Sequence, residues 1–154
     1  MIGLLFVYFL ISFVLIGLDQ WMKYWIVSTI SLGETREFIP HLLSLTYIQN
    51  SGAAWSILEG KILFFAIITL VTVGVVLYFL IRGRNGNKLL NIGLSLILAG
   101  AIGNFIDRIR LGYVVDMFQT EFMNFPIFNI ADAALTIGVL FVFIYSLFEE
   151  KWKG

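Results

Sequence analysis

Residues 62–81 read ILFFAIITLVTVGVVLYFLI, an uncharged run between Lys61 and Arg82. A helix crossing about 30 Å of hydrocarbon needs about 20 mostly apolar residues. This run has that length, so it reads as a transmembrane helix. Three more runs follow the same rule. Ile2–Leu18 is uncharged and continues past Asp19 and Lys23 to Ile30, Leu89–Ile106 lies between Lys88 and Asp107, and Ala133–Phe148 lies between Asp132 and Glu149. The fold class expected is a mainly α membrane protein with four transmembrane helices, over about 3–28, 62–81, 89–107 and 133–149. The first run has no basic residues before it and no small-residue cleavage pattern after it, so it is expected to be a retained span.

Composition agrees. Of 154 residues, 60% are hydrophobic and only 13% charged, against about 25% charged in an ordinary soluble domain. That is too few for the polar skin of a free cytosolic enzyme, and the chain is too short for two domains of usual size. A single integral membrane domain over 1–154 is expected. The formal net charge is zero, so no basic field draws nucleic acid. There are no cysteines, which removes disulfides, thiol nucleophiles, zinc–thiolate sites and iron–sulfur clusters. One histidine, His41, cannot build a His-rich metal centre. The chemistry must use carboxylates, amides, hydroxyls or backbone.

Basic residues near span ends set orientation. Arg82, Arg84 and Lys88 crowd the second connection without an acid, and Lys151 and Lys153 follow the last span. Both regions should be cytoplasmic, as should both termini, which leaves segments 31–61 and 108–131 outside. The first outer segment holds Glu37-Phe38-Ile39 and Leu43–Ile48, which are β-rich, then Asn50-Ser51-Gly52 as a turn. A small sheet is expected between helices one and two, with Ala53–Leu58 pairing back and Trp55 at headgroup depth. In the third span Ser95, Ala99 and Gly103 recur every four residues, a spacing that lets helix backbones approach.

Ionisable residues in spans are costly, about 2.5–3.5 kcal/mol each at the centre, and usually have a partner or a function. Asp19 and Lys23 stand four apart in the favourable order for an ion pair; they form either that pair or a pocket wall. Asn104, Asp107 and Arg108 share a helix face, and Asp107 beside Arg108 reads as a charge-compensating unit. Asp116 and Asp132 have no adjacent cation. Brought together, they would share one proton as an aspartic dyad, one taking a proton from water while the other protonates the carbonyl or leaving amine. The structural alternative for Asp132 is a helix N-cap.

These residues also carry a resemblance. Asn50-Ser51-Gly52-Ala53-Ala54-Trp55 resembles the N-x-G-A-A-F motif of the lipoprotein signal peptidases (signal peptidase II). Gly103-Asn104-Phe105-Ile106-Asp107-Arg108, followed by Gly112, Val114 and Asp116, resembles that family's G-N-x-x-D-R-x-x-x-G-x-V-x-D block. Phe128-Asn129-Ile130-Ala131-Asp132 is similar to its F-N-x-A-D block, and Asp19-Gln20 with Lys23 to its D-Q-x-x-K. Trp55 departs from the family's usual Phe. The likeness covers nearly the whole chain.

The resemblance implies an aspartic endopeptidase with Asp116 and Asp132 as catalytic residues. It implies a substrate-binding set of Asp19, Lys23, Asn50, Gly52, Asn104, Arg108 and Asn129, with Asp19 and Lys23 in support from helix one. No metal or cofactor is implied. The substrate would be a prolipoprotein whose lipobox cysteine carries diacylglycerol, cut just before that cysteine. The enzyme would be a monomer in the bacterial cytoplasmic membrane, in contact with membrane lipid, its active site near the outer leaflet. Three other readings compete: a small proton-coupled transporter or channel subunit, a metal-dependent enzyme using Asp19, Asp107, Asp116 and Asp132 as oxygen ligands, and an assembly subunit without chemistry.

Overall fold

The computed structural model describes residues 2–52, 61–83 and 86–152. Its elements follow in the order α1 (Ile2–Thr29), β1 (Thr35–Ile39), β2 (Leu43–Asn50), α2 (Ile62–Arg82), α3 (Lys88–Leu111), β3 (Val114–Thr120) and α4 (Ile130–Trp152). All four helices are long and apolar enough to cross a membrane.

The third helix is the hub, and its ends show why it forms where it does. Asn87 caps the N-terminus, its Oδ1 accepting from the Leu89 and Leu90 amides, which otherwise lack partners. Gly112 ends it in the left-handed region (φ 82°), its amide returning to the Arg108 carbonyl. Between these ends α3 packs against α1, α2 and α4. In its most apolar window 61% of residues are buried, against 11–17% in the other helices, which turn Phe13, Leu63 and Phe143 outward. Large apolar side chains spread over an outer surface suit lipid better than water.

Small residues set how near the helices come. The Ser12 hydroxyl donates to the Ser95 carbonyl at 2.8 Å, and Ser95 and Ala99 are buried. A Cβ added to Gly138 would lie 2.7 Å from the Gly93 carbonyl oxygen, and one added to Gly93 would lie 2.9 Å from that of Gly138. The α3–α4 contact is therefore backbone against backbone.

The sheet is antiparallel with order β1–β2–β3. Here the expectation needs correcting: the sheet is not confined to the segment between helices one and two. Its third strand comes from beyond α3, where Val114 and Val115 pair with Asn50 and Gln49. The expected return strand Ala53–Leu58, with Trp55, lies outside the described residues, as do Arg84, Lys153 and the side chains of Lys151 and Trp152. Leu45, Tyr47, Val115 and Met117 pack onto Ile26 and Ile30 of α1. The sheet thus sits at the end of the bundle where α1 and α3 stop and α4 starts.

Candidate active site

An irregularity in the β2–β3 ladder aims the first acid. The register shifts between Leu45 and Ile48, after which Ile48 faces Asp116 and Asn50 faces Val114. Bulges of this kind bend a strand and redirect its side chains. Asn50 Nδ2 donates to Asp116 Oδ2 at 2.9 Å, and Asn50 Oδ1 accepts from the Gly52 amide, closing the expected turn. On the other side Phe118 and Phe128 exchange backbone hydrogen bonds, bringing the chain before α4 back to β3. Asn129 Nδ2 thereby reaches Asp116 Oδ1 at 2.7 Å. Both oxygens of Asp116 accept from an amide.

The second acid comes from the start of α4. The cap there is Asn129, whose Oδ1 accepts from the Asp132 amide, while Asp132 Oδ2 accepts from the Asn129 amide. This reciprocal pair is a capping box, so the N-cap alternative for Asp132 is corrected: Asp132 is the returning partner, one turn in. It also explains why α4 begins at Ile130 and not at 133. The other oxygen, Asp132 Oδ1, accepts from Asn104 Nδ2 at 2.7 Å.

Behind these groups lies a buried charge network. Lys23 Nζ is 2.9 Å from Asp19 Oδ2, 2.9 Å from Asp107 Oδ2 and 3.1 Å from Asn104 Oδ1. Its three donors meet three acceptors. Asp19 Oδ1 accepts from the Ala131 amide, Asp107 Oδ2 from the Val115 amide, and Gln20 Nε2 donates to Asp107 Oδ1. A Cβ on Gly103 would fall 2.8 Å from Asp19 Oδ2, so glycine is what allows this approach. The network ties α1, α3, β3 and α4 together immediately beneath the two aspartates.

One expectation is corrected by this geometry, and three of the expected binding residues stand behind the cavity. Asp107 pairs with Lys23, and Arg108 is not its partner; neighbours in sequence on a helix diverge, and Arg108 NH2 instead donates to the Gly52 carbonyl at 3.1 Å. Asp19 and Lys23, expected among substrate-binding residues, are 1% and 3% exposed and do not line the cavity; nor does Asn129, which is wholly buried. All three instead bond to neighbouring residues: Asp19 to Lys23 and the Ala131 amide, Lys23 also to Asp107 and Asn104, and Asn129 to Asn104 and Asp116.

The cavity itself has a volume of about 510 Å³. Asp116, Asp132, Asn50, Gly52, Asn104 and Arg108 line it, with Phe125, Ile127, Phe128, Leu135 and Ile137 as apolar walls. It thus collects both expected aspartates and four of the seven other expected residues. Asp116 is only 2% exposed. Burial and the nearby Asp132 carboxylate push its pKa up to about 7, against the pull of Asn50, Asn129 and Lys23. The four acids of the metal reading divide between Lys23 and the cavity, and no cluster with metal-holding spacing is found among the described residues. Gln20, Thr136 and Phe65 join the site without having stood out in the sequence. Gln20 stands in the Asp19–Lys23 motif and could have been noticed there; the contacts of Thr136, on the cavity wall, and Phe65, against Arg108, have no local signal.

The family model for Signal peptidase (SPase) II matches residues 11–148. The chain belongs to the signal peptidase II family. It is 61% identical to the lipoprotein signal peptidase of Enterococcus faecalis over 98% of this chain and 94% of that one. It is 56% identical to that of Latilactobacillus sakei, over 90% and 91%. A bacterial membrane enzyme solved by the in meso method at 2.3 Å is similar in fold, with a TM-score of 0.87 at 44% identity, covering 92% of this chain and 87% of that chain. Signal peptidase II membership makes this chain a multi-pass bacterial membrane peptidase of aspartic type, whose family work is removal of signal peptides from prolipoproteins. The transporter and assembly readings give way to it.

Proposed function

We propose that Asp116 and Asp132 are the catalytic pair of this peptidase. The observation that carries the reading is their convergence on one cavity, Asp116 from a bulged strand and Asp132 from a helix start. With its pKa near 7, Asp116 holds a proton where an ordinary aspartate would not. Asp132 takes a proton from water as the oxygen adds to the scissile carbonyl carbon. Asp116 supplies the proton on the leaving amine as the C–N bond breaks, and the proton gained by Asp132 restores the pair. One water is consumed and one peptide bond is cut.

Arg108 and Asn50 orient the peptide backbone, with Gly52 at the cavity edge. The substrate is a prolipoprotein carrying a diacylglyceryl cysteine, cut just before that residue; its lipid and apolar signal helix suit the walls formed by Phe125, Ile127, Leu135 and Ile137. One chain supplies every group, which favours action as a monomer. The sheet end of the bundle faces outward and the Arg82–Lys88 end faces the cytoplasm, with the cavity at outer-leaflet depth.

The test is cleavage of a diacylglyceryl-modified prolipoprotein by the wild type, Asp116→Asn and Asp132→Asn, with and without chelator. Each folded variant should lose at least about a thousandfold in kcat, and chelator should change nothing. Near-normal activity in either variant would remove that aspartate from the mechanism; loss on chelation alone would restore the metal reading.

A further inference from the structure

Arg108 is held in an unusual way for a cation beside three acids. Asp107 precedes it on α3, and Asp116 and Asp132 line the same cavity, yet none of the ion pairs among the described residues includes it. Its Cζ lies 4.4 Å from the centroid of the Phe65 ring on α2, and NH2 donates to the Gly52 carbonyl. A guanidinium stacked on an aromatic ring is restrained through its face, while the N–H donors around its edge stay available. A carboxylate partner would do the opposite, consuming those donors.

We propose that Phe65 is a positioning residue of the substrate site: its ring holds the Arg108 guanidinium by one face, off the aspartate pair and toward the incoming peptide backbone. The proposal rests on the reading of Arg108 as a substrate donor. It gives α2 a part in the reaction, although that helix contributes no residue to the cavity lining. Phe65 also separates two electrostatic states. Without the ring, Arg108 is free to move onto Asp116 and Asp132, where an opposite charge favours the ionised carboxyl. The other charged groups that face Asp116 are Asp132 from α4 and Lys23 from α1.

The experiment compares the full chain in lipid–detergent micelles as wild type, Phe65→Leu, Phe65→Trp, Arg108→Ala and Phe65→Leu with Arg108→Ala, on a diacylglyceryl-modified peptide. Phe65→Leu should raise KM about fivefold, with kcat at the pH optimum within about twofold. Its alkaline loss of activity should move to lower pH, because the freed guanidinium stabilises the charged aspartates. Phe65→Trp, which keeps an aromatic face, should restore both. In the Arg108→Ala background Phe65→Leu should add nothing. Equal effects of Leu and Trp, or an undiminished Phe65→Leu effect without Arg108, would make Phe65 a packing residue and overturn the proposal. If Arg108→Ala leaves KM unchanged, the substrate-donor reading fails first and the proposal falls with it.

Discussion

Asp116 is where the physics of single residues is most exposed to measurement. Its folded pKa of about 7 stands above the ordinary 3.8 because burial and Asp132 outweigh the amides of Asn50 and Asn129. Between those values the folded protein keeps a proton that the unfolded chain has released. Stability therefore falls as pH rises from about 4 to about 7, by on the order of 4 kcal/mol in all. The proposed mechanism needs that proton, so kcat/KM should also fall as pH rises through about 7. Profiles of kcat/KM and of thermal midpoint against pH check both, and Asp116→Asn should flatten the second. A profile of kcat/KM level to pH 9 would show that Asp116 does not work as an acid. At this scale much was legible: an acid flanked by Val115 and Met117 has to be either partnered or perturbed. What could not be read was which amides reach it, because Asn50 and Asn129 are separated from it by 66 and 13 residues. The cap of α4 is ambiguous in the sequence for a related reason. Asn129 and Asp132 both suit a helix start, and only the backbone decides which one leads.

Between elements, the spacing of Ser95, Ala99 and Gly103 marked α3 as a helix with a close neighbour but did not say which neighbour. The partners are divided: Ser95 meets α1, Gly103 admits Asp19, and Gly93 with Gly138 closes the α3–α4 contact. The pairing of β3 is hidden from the sequence for a similar reason. Val114–Thr120 is short, and its pairing partner lies across two helices in the sequence. The glycines allow a sharp test. Gly138→Ala places a Cβ 2.7 Å from the Gly93 carbonyl and 2.8 Å from Ile97, and overpacking of this kind costs about 1–3 kcal/mol. Gly74, on α2, has open space where a Cβ would go; its Ala variant should gain up to about 1 kcal/mol from helix propensity. Thermal midpoints in one detergent should move in opposite directions. A Gly138→Ala variant as stable as wild type would mean that α3 and α4 lie farther apart than described.

At the scale of the whole molecule, the open quantity is direction across the membrane. The fold is polarised: the sheet, the Lys23 network and the cavity lie where α1 and α3 end, and Arg82 and Lys88 lie at the opposite end. Basic residues retained in the cytoplasm set orientation, but a bare count decides little here. Lys61 and Arg110 stand at the sheet end, as does Arg36, which Glu34 neutralises, and Lys23 and Arg108 are engaged in the interior. What favours the proposed direction is the short α2–α3 connection, with Arg82, Arg84 and Lys88 and no acid. The absence of cysteine from the chain makes the question answerable with single thiols. Glu37→Cys on β1 and Lys88→Cys at the start of α3 both replace exposed residues. A membrane-impermeant maleimide should label Glu37→Cys in intact cells and Lys88→Cys only after the membrane is opened, with the wild type silent throughout. The reverse pattern would place the aspartates on the cytoplasmic side, where a substrate anchored by lipid in the outer leaflet could not meet them, and the proposed reaction would fail on geometry alone.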